Sequence, residues 1–124
     1  MIRTLTCNCG AIRIETNAEL GVVTDCNCTQ CVRAGMLGWR VDTTNVRLAT
    51  PRSGLSTYVW RFADSGMHFC PTCGTAMYKT GPDNYFVLNA RCIDGLDTHT
   101  LTVERYDGLR DVPGGYPPPL AESR

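Results

Sequence analysis

Apolar and polar positions along the 124 residues alternate mostly with a period of two, and the chain reads as a succession of short strands. Ala11-Ile12-Arg13-Ile14-Glu15-Thr16 places Ile12 and Ile14 on one face and Arg13 and Glu15 on the other, the mark of a half-buried strand. Leu20 to Asp25 predicts a second strand, Gly38 to Asp42 and Val46 to Leu48 two brief ones, and Ser56 to Phe62, β-branched and aromatic, the clearest of the first half. A further strand leads through His68 and Phe69. Ala76 to Lys79, Tyr85 to Ala90 and Leu101 to Tyr106 follow, with a loop at Pro51 to Gly54. Only Val32-Arg33-Ala34-Gly35 suggests a helical turn, ended by its glycine.

The length suits one domain, taken as residues 1–110. Residues 111–124 include Pro113-Gly114-Gly115-Tyr116-Pro117-Pro118-Pro119, which builds no packed element and is expected to be a flexible tail. Twelve basic residues balance twelve acidic ones without a block of either sign, which argues against a nucleic-acid partner. The N-terminal residues lack the apolar run of a signal peptide, and no stretch approaches the ~18 apolar residues of a membrane span. A soluble, cytoplasmic protein is expected.

Against that background the eight cysteines stand out. In a reducing compartment disulfides are rare and clustered cysteines more often bind metal. Seven of the eight fall into three groups: Cys7-Asn8-Cys9-Gly10, Cys26-Asn27-Cys28-Thr29-Gln30-Cys31, and Cys70-Pro71-Thr72-Cys73-Gly74. The first is a tight turn whose glycine permits a left-handed backbone. The last has the form of a zinc knuckle, although a C-x-x-C can also be a redox dithiol. The middle segment supplies three thiols within six residues, enough for a zinc site with an open fourth position.

One allocation joins Cys7 and Cys9 to Cys70 and Cys73 as a closed four-thiolate site and leaves Cys26, Cys28 and Cys31 as a second, three-thiolate site. A competing one groups the Cys26 segment with Cys70 and Cys73 and strands Cys7 and Cys9. Cys92, after the apolar run Tyr85-Phe86-Val87-Leu88, is either a fourth ligand that closes the second site or a buried bystander that leaves it open. The open site is the favoured reading.

The order C-x-C-G, C-x-C-x-x-C, F-C-x-x-C-G-T over residues 7 to about 106 resembles the family of glutathione-dependent formaldehyde-activating enzymes, which also includes centromere protein V. The resemblance implies an all-β, mainly antiparallel fold, a zinc-containing β-tent. It also implies a structural zinc on Cys7, Cys9, Cys70 and Cys73 and a catalytic zinc on Cys26, Cys28 and Cys31; the sequence assigns no catalytic residue beyond these metal ligands. Many members carry histidine between the paired cysteines, where this chain has Asn8 and Asn27; asparagine can hydrogen-bond there but cannot exchange a proton near neutral pH.

An open zinc position can bind a thiol, lower its pKa and present it as the nucleophilic thiolate. Thiolate addition to an aldehyde gives a hemithioacetal, and the reverse step cleaves a carbon–sulfur bond. The expected function is therefore a carbon–sulfur lyase or thiol-adduct-forming enzyme with two zinc ions, acting on a small thiol such as glutathione and an aldehyde. The alternative is a non-catalytic two-zinc module that binds a partner, and neutral charge weighs against a chromatin role for it. Thr29, Gln30 and Arg33 flank the three-cysteine loop, and Arg33 is the candidate contact for an anionic group of the thiol. Trp39 and Trp60 read as core residues, His68 as packing or surface, and His99 as part of a polar loop.

Overall fold

Ten short strands and two short helices are laid out in a computed structural model that describes residues 1–59 and 65–111. In chain order they are β1 (Arg3–Thr6), β2 (Arg13–Thr16), β3 (Val23–Cys26), α1 (Thr29–Ala34), β4 (Gly38–Arg40), β5 (Val46–Leu48), β6 (Ser56–Tyr58), β7 (Gly66–Phe69), β8 (Ala76–Thr80), β9 (Phe86–Asn89), β10 (Val103–Tyr106) and α2 (Gly108–Asp111). Asp111, expected to open the flexible tail, is the last residue of α2; the rest of that tail, 112–124, and the end of the Ser56–Phe62 strand, with Trp60, lie outside the described residues.

The strands form two sheets. A small one has the order β1-β2-β5, and a large one the order β10-β3-β4-β9-β8-β7-β6. Every pairing is antiparallel except that of β10 with β3. The fold is all-β, as its resemblance implies. The sequence pattern does not show β1, because Leu5 is the single large apolar side chain between Arg3 and Thr6; its partner Ile14 is what makes it a strand. β3 begins at Val23 rather than Leu20, where the ladder with β10 starts through the Val23 N–H and the Thr102 carbonyl.

Period-two alternation in the small sheet is as read: Ile12, Ile14 and Thr16 are buried. On the outer face Glu15 stands opposite Arg47 and accepts from it at 2.7 Å, a cross-strand charge pair worth about 0.2–1 kcal/mol. The large sheet has two unlike faces. A continuous row of paired residues, Thr57, His68, Tyr78, Leu88 and Trp39, crosses β6, β7, β8, β9 and β4 on the face that packs against Leu5, Ile12 and Ile14. Trp39 is buried there and its indole N–H donates to the Glu19 carbonyl at 3.1 Å.

His68 is a core residue. Only 3% exposed, it stacks on Tyr78 with ring centroids 4.6 Å apart, and Tyr78 stacks on Phe86. Its Nδ1 lies 2.8 Å from the Thr57 hydroxyl and its Nε2 2.7 Å from the Thr80 hydroxyl, so both ring nitrogens are partnered. Burial first, and Arg52 second, hold its pKa down near 4, from an ordinary value of 6.5. His99 sits in a 3-10 turn at Thr98–Thr100, where its N–H donates to Asp97.

A depressed histidine pKa gives a stability that is complete above pH 6.5 and lost as the pH falls towards 4, because the unfolded chain takes up the proton first. Urea unfolding of the parent and of His68→Gln at a series of pH values should show the parent losing about 3 kcal/mol relative to the variant between pH 7 and pH 4. Parallel pH profiles for the two proteins would contradict the burial of a neutral imidazole.

Candidate metal centres and the adjoining cavity

The β1–β2 connection and the β7–β8 turn each present a cysteine pair, and the fold brings the pairs together. The sulfurs of Cys7, Cys9, Cys70 and Cys73 all lie within 4.8 Å of one another. Cys7 and Cys9 are 3.6 Å apart and Cys9 and Cys70 3.7 Å apart. Zinc–sulfur bonds of about 2.3 Å in a tetrahedron require sulfurs about 3.8 Å apart, so the set fits a zinc ion. Both turns are built alike: Gly10 and Gly74 adopt φ of +84° and +78°, and their N–H groups close back on the carbonyls of Cys7 and Cys70. Those left-handed conformations leave other backbone N–H groups free to face sulfur. Ile12 donates to Cys7 at 3.2 Å, and Thr72 and Cys73 donate to Cys70 at 3.4 and 3.5 Å.

These donors favour thiolate. Cys73 is drawn down to about 5 by the Thr75 hydroxyl and amide, and the Cys73 amide lowers Cys70. The Ala11 amide works to lower Cys9, but the neighbouring sulfurs of Cys7, Cys70 and Cys73, together with burial, outweigh it and leave that thiol at about 11. Sulfurs so crowded resist full ionisation together, and a cation among them removes the conflict.

The second group is Cys26, Cys28 and Cys31, again with all sulfurs within 4.8 Å. Cys26 ends β3, and Cys28 is the N-cap of α1, its sulfur accepting from the Cys31 N–H at 3.4 Å. The helix therefore starts at Thr29, inside the motif, and not at Val32; a cysteine is an uncommon cap and left no signal in the sequence. Gly35 closes it at φ +70°. Cys26 accepts from the Cys28 N–H at 3.5 Å, and Cys31 from the Lys79 ammonium at 3.3 Å. The Cys31 side chain draws Cys28 down to about 5 against its burial, while Cys28 and burial push Cys31 well above the ordinary thiol range and burial raises Cys26. Burial works to lower the pKa of Lys79, but Cys31, Tyr85 and Cys28 outweigh it and raise the pKa.

This second group opens on a cavity of about 390 Å³. Strand register explains its walls. Lys79, Val87 and Arg40 are paired in a row across β8, β9 and β4, on the face opposite the His68–Trp39 row. Gly38 pairs with Thr24, and Thr24 and Cys26 pair with Glu104 and Tyr106 of β10. All of these line the cavity, with Met36, Tyr85 and Asp111. Two cations approach the Tyr85 ring, the Arg40 guanidinium at 4.9 Å and the Lys79 ammonium at 5.9 Å from its centroid.

The remaining sequence candidates fall as follows. Arg33 is exposed on α1 and is not among the residues that line the cavity, whereas Lys79 and Arg40 are. Thr29 is buried with its hydroxyl unpartnered among the described residues, and Gln30 is half-buried. Asn27 is a structural clasp: its amide donates to Asp107 at 3.0 Å and its oxygen accepts from the Leu109 N–H at 2.8 Å, tying α2 to the cysteine loop. Asn8 is exposed, its N–H donating to Thr75. Cys92 belongs to neither group. Buried, its thiol donates to the Ala76 carbonyl at 3.5 Å and is pushed up to about 12 by burial and then by Cys7 and Cys73. Lys79 is the residue that sequence reasoning missed. Its one signal is a charge at the fourth position of the otherwise largely apolar run Ala76-Met77-Tyr78-Lys79.

A protein-family model described as glutathione-dependent formaldehyde-activating enzyme matches residues 2–106. Among solved structures, a Rhodobacter sphaeroides protein determined as a structural-genomics target shares the fold with a TM-score of 0.68 and 21% sequence identity, over 82% of this chain and 99% of that one. No curated protein sequence matches the chain.

The four-sulfur group joins one turn from each sheet, so breaking it should loosen the whole domain. Cys70→Ser is expected to lower the melting temperature by roughly ten degrees or more, on the order of the several kcal/mol a structural metal contributes. Calorimetry with and without a strong chelator checks this, and a Cys70→Ser protein as stable as the parent would refute it.

Proposed function

The chain belongs to the glutathione-dependent formaldehyde-activating enzyme family, and from that membership we propose that it is a zinc enzyme making or breaking the carbon–sulfur bond between a small thiol and an aldehyde. Glutathione and formaldehyde are the family's pair and the first substrates to try. In this reading Cys7, Cys9, Cys70 and Cys73 hold a closed, structural zinc, and Cys26, Cys28 and Cys31 hold a second zinc whose fourth position faces the cavity. The observation that supports it is the contrast between the two groups: four sulfurs gather within reach of one ion at one, and three sulfurs line a cavity at the other.

When bound at the three-sulfur group, zinc supplies a Lewis acid that lowers the pKa of an incoming thiol. The protein's own residues set the surroundings. Met36, Val87 and Tyr85 give the cavity an apolar wall, while Arg40 and Lys79 on one side and Glu104 and Asp111 on the other supply charges of both signs to orient a polar thiol. In the synthetic direction the thiolate sulfur adds to the carbonyl carbon, the π pair moves to oxygen, and oxygen takes a proton from water to give the hemithioacetal. The lyase direction reverses each movement. A reducing, cytoplasmic setting suits such a protein, because its ligand thiolates must stay unoxidised.

The parent should hold two equivalents of zinc, and Cys28→Ser one, with the fold largely kept. A panel of small thiols should raise the melting temperature of the parent and not of Cys28→Ser; saturation at about 100 times the dissociation constant corresponds to ~2.7 kcal/mol. If Cys28→Ser keeps both zinc ions and full activity towards glutathione and formaldehyde, the catalytic assignment of the three-sulfur group is abandoned.

A further inference from the structure

Each sulfur of the three-cysteine group accepts one N–H, but from unlike donors. Cys26 accepts from the Cys28 amide and Cys28 from the Cys31 amide, both fixed by the turn of the motif itself. The Cys31 sulfur receives no backbone amide among the described residues; its donor is the Lys79 ammonium, 48 positions away in sequence and 3.3 Å away in space. Lys79 is held between Met67 and Val87, its cross-strand neighbours on β7 and β9, both buried and apolar. No ion pair among the described residues involves it. A half-buried ammonium without a carboxylate is costly unless another negative group faces it, and here that group is sulfur.

We propose that Lys79 is a positioning residue of this site: its ammonium anchors the Cys31 sulfur, offsets one of the negative charges that three thiolates concentrate there, and keeps Cys31 from reacting as a nucleophile itself. The inference rests on the reading of the group as a thiolate metal site. Three thiolates around a divalent ion leave one net negative charge, and an incoming thiolate adds another. Lys79 offsets that ligand charge locally, at the Cys31 sulfur, before the thiolate arrives. It also withdraws electron density from the one sulfur of this group that accepts no backbone amide among the described residues. The problem is a real one for a site that handles aldehydes: an uncovered Cys31 sulfur would add to the carbonyl carbon in place of the substrate thiol, and its sulfur would be lost as a ligand.

The test is iodoacetamide labelling of the protein as isolated, with zinc counted beforehand and each modified cysteine identified by mass spectrometry. Alkylation joins sulfur to the acetamide carbon and releases iodide, so its rate reports the nucleophilicity of each sulfur. Lys79→Met, whose side chain is compatible with Met67 and Val87, should raise the rate at Cys31 about tenfold while leaving Cys26 and Cys28 within about twofold. Lys79→Arg, which keeps the charge and a donor, should return Cys31 close to the parent rate. An unchanged or lower Cys31 rate in Lys79→Met overturns the proposal. An equal rise at all three cysteines also overturns it, because that is what mere loosening of the loop produces. Fewer than two zinc equivalents in the parent counts against the zinc reading above, and is a separate result from the labelling pattern.

Discussion

The meeting of two cysteine pairs from two different sheets is the contact on which the rest of this structure depends. Cys7 and Cys9 stand in the turn between β1 and β2, and Cys70 and Cys73 in the turn between β7 and β8, more than sixty positions apart. Bringing their sulfurs within 4.8 Å fixes how the three-stranded sheet sits against the seven-stranded one. Among the described residues, Leu5, Ile14, Met77, Tyr78 and Leu88 are the fully buried large side chains that pack the core, and the sulfur junction adds a contact at its edge. The junction has help from direct contacts. Leu5 bridges to Ile93, the Asp94 N–H donates to the Thr4 carbonyl, and Thr6 donates to the Asp94 side chain.

The large sheet then presents two unlike sets of side chains, one on each face. One face carries the row from Thr57 through His68, Tyr78 and Leu88 to Trp39 and packs the core. The other carries Lys79, Val87 and Arg40 beside the three-cysteine loop. Because paired residues share a face, a slip of one position in β8 or β9 would exchange these sets and destroy both. Asn89 links the two centres. Buried, it accepts from the Leu37 and Arg91 N–H groups and donates to the Ala76 carbonyl at 2.8 Å, so it joins the segment after α1 to the strand after the Cys70–Cys73 turn. A buried amide with all these partners rigidifies the connection between the four-sulfur group and the three-sulfur group.

Much of this was legible in the chain itself. The strand-rich character follows from the alternation at Ile12 to Thr16 and the β-branched and aromatic runs, since period two is a local property of the sequence. The division of seven cysteines into two pairs and one triplet follows from their spacing, because two thiols two or three positions apart can face one point without any tertiary help. The cysteine order also places the chain in its family. What spacing left open was which groups combine and where Cys92 goes. Those are questions of distance between remote segments: the β1–β2 and β7–β8 turns meet, and Cys92 lies in neither sulfur group.

The walls of the cavity were decided by tertiary structure alone. Lys79 reads in sequence as a polar position on a strand, and only its register against Met67 and Val87 aims it at Cys31. Arg33, five positions beyond Cys28, is near in sequence yet sits on the exposed side of α1, while Arg40 reaches the cavity through β4. β1 exists because Ile14 gives Leu5 a partner, and α1 begins early because the Cys28 sulfur caps it. Ligand spacing within one turn is written in consecutive residues and survives without a fold. Which side chains surround those ligands depends on strand pairings between residues far apart, and no local pattern encodes them.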